Sequence, residues 1–97
     1  MFIKKYDSIN INEIKNINKT SIIDVRTKEE FQQQNIKGSK NIELQILLNN
    51  PEKYLAKDKK YYMMCASGMR SKQACNILYK LGYNVTNLKG GIMSYKK

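Results

Sequence analysis

The chain reads as an α/β domain with a mainly parallel sheet, and three observations lead there. Short apolar runs alternate with helix-like segments along the whole length, the pattern of strands joined by crossover helices. Two of those runs, Ser21-Ile22-Ile23-Asp24-Val25 and Tyr61-Tyr62-Met63-Met64, are too continuously apolar to have a wet face. Helix-start signals follow both of them within a few residues, at Thr27 and Ser71.

Taken in order, Ile3 to Tyr6 reads as a first strand, and Asn10 with Glu13 three residues on resembles a capping box opening a short helix with Ile14 and Ile17 inward. Residues 21–25 form the second strand. Thr27-Lys28-Glu29-Glu30 is a T-x-x-E capping box, so a helix of about two turns begins there and drops Phe31 into the core. Gly38 ends that unit, and Asn41-Ile42 fits a very short strand. Leu44, Leu47 and Leu48 imply a helix that stops before Pro51, with turns at 49–52 and 57–60. A buried strand over 61–65 leads into a helix with Ala74, Ile77, Leu78 and Leu81 at the i, i+3, i+4, i+7 spacing of an apolar stripe. Ser71 is its expected N-cap and Gly82 its C-terminal cap, and Cys75 falls one residue off the stripe, as a core thiol. Asn84 to Leu88 is the last strand, followed by a Gly90-Gly91 turn into a terminal helical turn.

Ninety-seven residues are expected to form one domain over 1–97, burying about 60 to 65% of the unfolded surface around a single core. The N-terminus lacks a signal-like apolar stretch, and no window approaches the 18 or so apolar residues of a membrane span, so the expected location is cytoplasmic, with no membrane partner. In a reducing compartment two cysteines ten residues apart imply neither a stable disulfide nor a zinc site. The absence of histidine removes Cys-His pairs, Ser-His-Asp triads and nearly every ordinary zinc or iron site. The net charge of +10 comes from sixteen scattered lysines and two arginines without one dense stripe, which argues against a nucleic-acid face and favours anionic substrates.

The chemistry concentrates in Cys65-Ala66-Ser67-Gly68-Met69-Arg70-Ser71, which sets a thiol, a glycine turn and a guanidinium between a strand and a helix. Asp24 and Arg26 stand at the carboxyl end of another predicted strand, so both segments land on one rim, where α/β sheets bind ligands. The only two arginines fall in these two segments, as if a planar five-donor fork is needed at both. Arg70 is the candidate anion binder beside the sulfur; Asp24 and Arg26 are a supporting pair. Met69 is expected to shield the pocket entrance.

These residues, in this order, resemble the rhodanese-like domains, the sulfurtransferase family. The likeness runs through Asp24-Val25-Arg26, Glu30-Phe31, residues 36–42, Cys65 to Ser71 and Leu88-Lys89-Gly90-Gly91, covering nearly the whole chain. It implies a five-stranded sheet with helices on both faces, and Cys65 as the residue that carries sulfur as a persulfide. Asn35 stands where the family often has histidine, and Tyr95 near a usual tryptophan, both as packing positions. Ala66-Ser67 replace the larger polar pair of many thiosulfate-using members.

A free thiol has a pKa near 8.5 and is about 7% ionised at pH 7.4. One unit of lowering requires about 1.4 kcal/mol, more than the roughly 0.3 to 1 kcal/mol a helix terminus supplies. The backbone N–H groups of residues 66 to 70 must therefore curl around Sγ as a nest, which Gly68 permits. The same amides suit an anionic persulfide. The expected reaction is a two-step exchange: thiolate takes the outer sulfur of a small anionic donor such as thiosulfate, then yields it to cyanide, a thiol or a protein acceptor. It calls for no base, metal or cofactor. Cysteine-based phosphatases and arsenate reductases place five residues between cysteine and arginine; the four here make a tighter cradle, and no general-acid aspartate is evident. A rhodanese fold used only for sulfur relay or docking is the other alternative.

Overall fold

The computed structural model describes residues 6–96. Five strands form one sheet: β1 (Asp7–Asn10), β2 (Ile22–Asp24), β3 (Lys40–Asn41), β4 (Lys60–Met64) and β5 (Asn84–Lys89). Their spatial order is β1-β5-β4-β2-β3, and all four pairings are parallel. The α-helices are α1 (Lys28–Gln33), α2 (Leu44–Asn49) and α3 (Met69–Lys80). Among the described residues no helix is long and apolar enough to cross a membrane.

Period-two alternation along the strands divides the core in two. Ile23, Met63, Cys65 and Val85 face Leu47 of α2 and Ala74, Cys75 and Leu78 of α3. Ile22, Met64 and Leu88 face the other way, toward Ile11, Ile17, Ile36 and Ile92. Helices thus cover both faces, but on the second they include the short 3-10 turns Ile11–Glu13, Ile17–Lys19 and Ile92–Ser94.

Several local expectations are corrected. Residues 3–5 of the predicted first strand lie outside the described residues; the strand starts at Asp7 and pairs with β5. Asn10 does cap the segment after it, but its side chain accepts from the Asn12 N–H, and one 3-10 turn results. The segment breaks at Asn16, which adopts a left-handed φ of 54°, a conformation asparagine tolerates better than most residues. The Thr27 capping box forms in full, yet α1 buries none of its residues and Phe31 is only half-buried. Ile36, just beyond α1, supplies the apolar contact instead.

The buried face of α3 is Ser71, Ala74, Cys75 and Leu78, while Ile77 and Leu81 are exposed. The helix is rotated from the expected stripe because the Ser71 hydroxyl finds polar partners in the interior. Cys75 therefore lies at the centre of the buried face, fully enclosed. Gly82, at φ +96°, closes α3: its N–H donates to Tyr79 O and that of Tyr83 to Leu78 O, the two bonds of a Schellman motif.

Candidate active site

Parallel pairing brings the carboxyl ends of β2, β4 and β5 together. Asp24 lies opposite Met64 and Asn41, and Met63 opposite Asn87, so Cys65 emerges from β4 between its two neighbours. The chain then turns sharply. Gly68 adopts φ +106° and occupies the N-cap position of α3, where Ser71 was expected; its carbonyl receives the Lys72 N–H at 3.1 Å. A left-handed residue with no side chain is what folds this loop back over the sulfur.

The backbone N–H of Gly68 donates to Cys65 Sγ at 3.0 Å, and the Ser71 hydroxyl lies 3.4 Å from the same atom. Burial of Cys65, which is 1% exposed, pushes its thiol pKa up. The Ser71 hydroxyl and the backbone N–H groups of Ser71, Gly68 and Arg70 outweigh that and bring it below the ordinary thiol value. Cys75 has no such donors, and burial pushes it up to about 12, with the charge of Cys65 adding to the rise. Two buried thiols in one core are thus chemically unlike.

Ser71 itself is held from beneath. Its hydroxyl lies 2.6 Å from Asn87 Oδ1 on β5 and 3.2 Å from Gly68 O. The loop is pinned from the opposite side as well: Ile92 N–H donates to Cys65 O at 2.9 Å and Met93 N–H to Ala66 O at 3.0 Å. Ala66 is half-buried, Ser67 exposed, and Met69 72% exposed, so the Met69 side chain stands mostly in solvent.

Both arginines are occupied by carboxylates. Arg26, 4% exposed, donates from Nε and Nη2 to fully buried Asp24, with Nη2 to Oδ2 at 2.7 Å, and reaches the carbonyls of Glu30 and Gln34. It braces the end of β2 against the end of α1. Asn41 extends the brace, its Nδ2 donating to Asp24 O and Arg26 O. Arg70 meets Glu30 fork to fork, Nη1 to Oε1 at 2.7 Å and Nη2 to Oε2 at 2.9 Å. Bonding to Glu30 raises the Arg70 pKa, burial opposes it, and the charges of Glu30 and Cys65 add to the rise. Bonding to Arg70, helped by the Thr27 N–H, brings Glu30 from 4.5 to about 2.

The structure thus brings Cys65, Gly68, Arg70, Ser71, Asp24 and Arg26 to one rim. Sequence reasoning missed Glu30, Asn41 and Asn87 there. Asn87 had left a trace, since it shares the inward face of β5 with Val85, where a polar residue needs a partner. Asn35 is exposed, donating to Phe31 O, whereas Tyr95 packs against the second core.

An open cleft of about 250 Å³ adjoins the loop, lined in part by Val25, Leu44, Ile46, Glu43 and Arg70. A larger hollow of about 370 Å³ lies at the amino ends of the strands, around Tyr6, Tyr79 and Tyr83, and its lining includes no thiol. Chemistry, not volume, locates the site at the carboxyl ends.

Comparison with known proteins agrees with this geometry. The rhodanese-like domain family matches residues 10–97. YtwF of Bacillus subtilis is 38% identical over 77 residues, which span 77% of this chain and 72% of that protein. A sulfurtransferase of Allochromatium vinosum is 32% identical over 77 residues, 78% of this chain and 71% of its own. The crystal structure of a rhodanese-related protein from Thermoplasma volcanium superposes with a TM-score of 0.81 at 39% identity, covering 92% of this chain and 89% of that one. With the fold, the loop and the family match in agreement, the chain belongs to the rhodanese-like domain family, whose matched members include a sulfurtransferase.

Proposed function

We propose that this chain moves a sulfane sulfur through a persulfide on Cys65, from an anionic donor such as thiosulfate to a nucleophilic acceptor, cyanide or a thiol. The observation that carries this reading is the Gly68 N–H donating to the Cys65 sulfur at 3.0 Å at the turn into α3, a contact that favours a negative sulfur. Thiolate Cys65 attacks the outer sulfur of thiosulfate; the donor's S–S bond breaks, and sulfite leaves with the electron pair. Cys65-S-S⁻ then yields its outer sulfur to cyanide as thiocyanate, and Cys65 returns as thiolate. Sulfur transfers without net oxidation, and no step needs an imidazole, which the chain lacks. In this mechanism the loop amides hold the charged sulfur in both forms, and Arg70 stands beside the donor.

Intact mass after incubation with thiosulfate tests the reading. Wild-type protein should gain one sulfur atom and release it on adding cyanide, and Cys65→Ser should gain none. A wild-type chain left unmodified by thiosulfate and by organic persulfides would refute it.

A further inference from the structure

The only arginines are Arg26 and Arg70, and each is paired with a carboxylate. Arg26 is buried with Asp24. Arg70 has both terminal nitrogens on Glu30. Ala66 and Ser67 add no charge, and Glu43 lines the adjoining cleft. Each guanidinium at the rim thus has a carboxylate partner, Asp24 on Arg26 and Glu30 on Arg70.

The geometry points to Glu30 as the residue that sets donor selectivity: by clamping Arg70 it disfavours doubly charged donors relative to donors of lower charge. This rests on the sulfur-transfer reading above. A dianion such as thiosulfate approaches a thiolate and a guanidinium already paired with Glu30, so backbone dipoles and the bulk field of the protein must offset more of the repulsion. A persulfide carried on a small uncharged organic group brings one charge at most, and its stem can rest against Val25, Leu44 and Ile46 in the cleft. In that exchange the Cys65 thiolate attacks the terminal sulfur of R–S–SH and the donor's S–S bond breaks. RS⁻ leaves with the electron pair and takes up the proton as the new persulfide ionises, giving Cys65-S-S⁻ and RSH. Glu30 is a positioning residue in this scheme, acting on the donor through Arg70.

Glu30→Gln isolates the charge, because the amide oxygen of Gln can still accept the Thr27 N–H that Glu30 Oε1 now accepts at 3.0 Å. The measurement is kcat/KM for thiosulfate divided by kcat/KM for 2-hydroxyethyl persulfide, in wild type and variant. Thiosulfate carries two charges and the attacked R–S–SH none, so removing one unit of charge about 7 Å away at an effective dielectric of about 50 predicts a ratio roughly 25-fold higher in Glu30→Gln. Loss of a merely structural contact would lower both rates and leave the ratio where it was, which would overturn the proposal. A second readout needs no sulfur transfer: inorganic sulfate should protect Cys65 from iodoacetamide at several-fold lower concentration in Glu30→Gln. If wild type accepts sulfur but neither readout moves, selectivity by Glu30 is wrong and sulfur transfer stands. If neither donor loads wild type, the sulfur-transfer reading fails, and sulfate protection alone decides whether Glu30 controls anion charge.

Discussion

Replacing Gly91 with alanine should damage the fold and the loop together. Gly91 has φ +59° and ψ −166°, a region open essentially to glycine alone, where another residue costs about 1 to 3 kcal/mol. A Cβ there would also fall within contact distance of the Cys65 and Ala66 carbonyl oxygens and 2.6 Å from the Ala66 carbonyl carbon. Those are backbone atoms whose carbonyls already receive the Ile92 and Met93 N–H groups, so relief requires breaking one or both bonds, at about 0.5 to 1.5 kcal/mol each. Together the penalty is about 1.5 to 6 kcal/mol, against a total stability of about 5 to 15 kcal/mol for a domain of this length. Gly82→Ala is the control. Its φ of +96° imposes similar strain, but the new Cβ meets only the flexible Lys57 side chain at 3.7 Å, so about 1 to 2 kcal/mol is expected. Thermal denaturation followed by circular dichroism measures both, and Tm should fall by about 10 to 40 °C in Gly91→Ala. If Gly91→Ala is no less stable than Gly82→Ala, the claim that this turn presses directly on the Cys65 loop is wrong.

Iodoacetamide at pH 8 should alkylate native protein once, at Cys65, and spare Cys75, whose pKa is pushed up to about 12; Ser71→Ala should move the Cys65 pH–rate midpoint upward, and peptide mapping that finds Cys75 modified first would contradict the assignment. Glu30 has a folded pKa of about 2 against 4.5 ordinarily, so its stabilisation is fully present above about pH 4.5 and is lost as pH falls toward 2. The stability gap between wild type and Glu30→Gln should therefore close over that window, from a start below about 1 kcal/mol because the pair is one-third exposed and screened, and a gap constant with pH would exclude Glu30 as its source.

Much of this was legible in the order of residues. The T-x-x-E box at Thr27 and the glycine that closes α3 are local devices, made within a few residues of one another. The turn at Gly68 is equally local. Parallel β2 and β4 followed from runs apolar on both faces. What went astray had competing local answers: Ser71 carries a good N-cap side chain, but Gly68 already takes the left-handed position that starts α3. The Ser71 hydroxyl was then free to turn inward, and the buried face of the helix followed it.

The chain's own sequence determined that a sulfur would sit at a strand-to-helix turn lined with amides, because that depends on backbone conformations set by neighbours a few positions apart. Only the tertiary structure decided what surrounds that sulfur. Glu30 meets Arg70 across forty residues, and Asn87 reaches Ser71 across sixteen, because β5 and β2 flank β4. Strand order is settled by how the whole core packs, and the charge felt at Cys65 depends on which carboxylates that packing delivers.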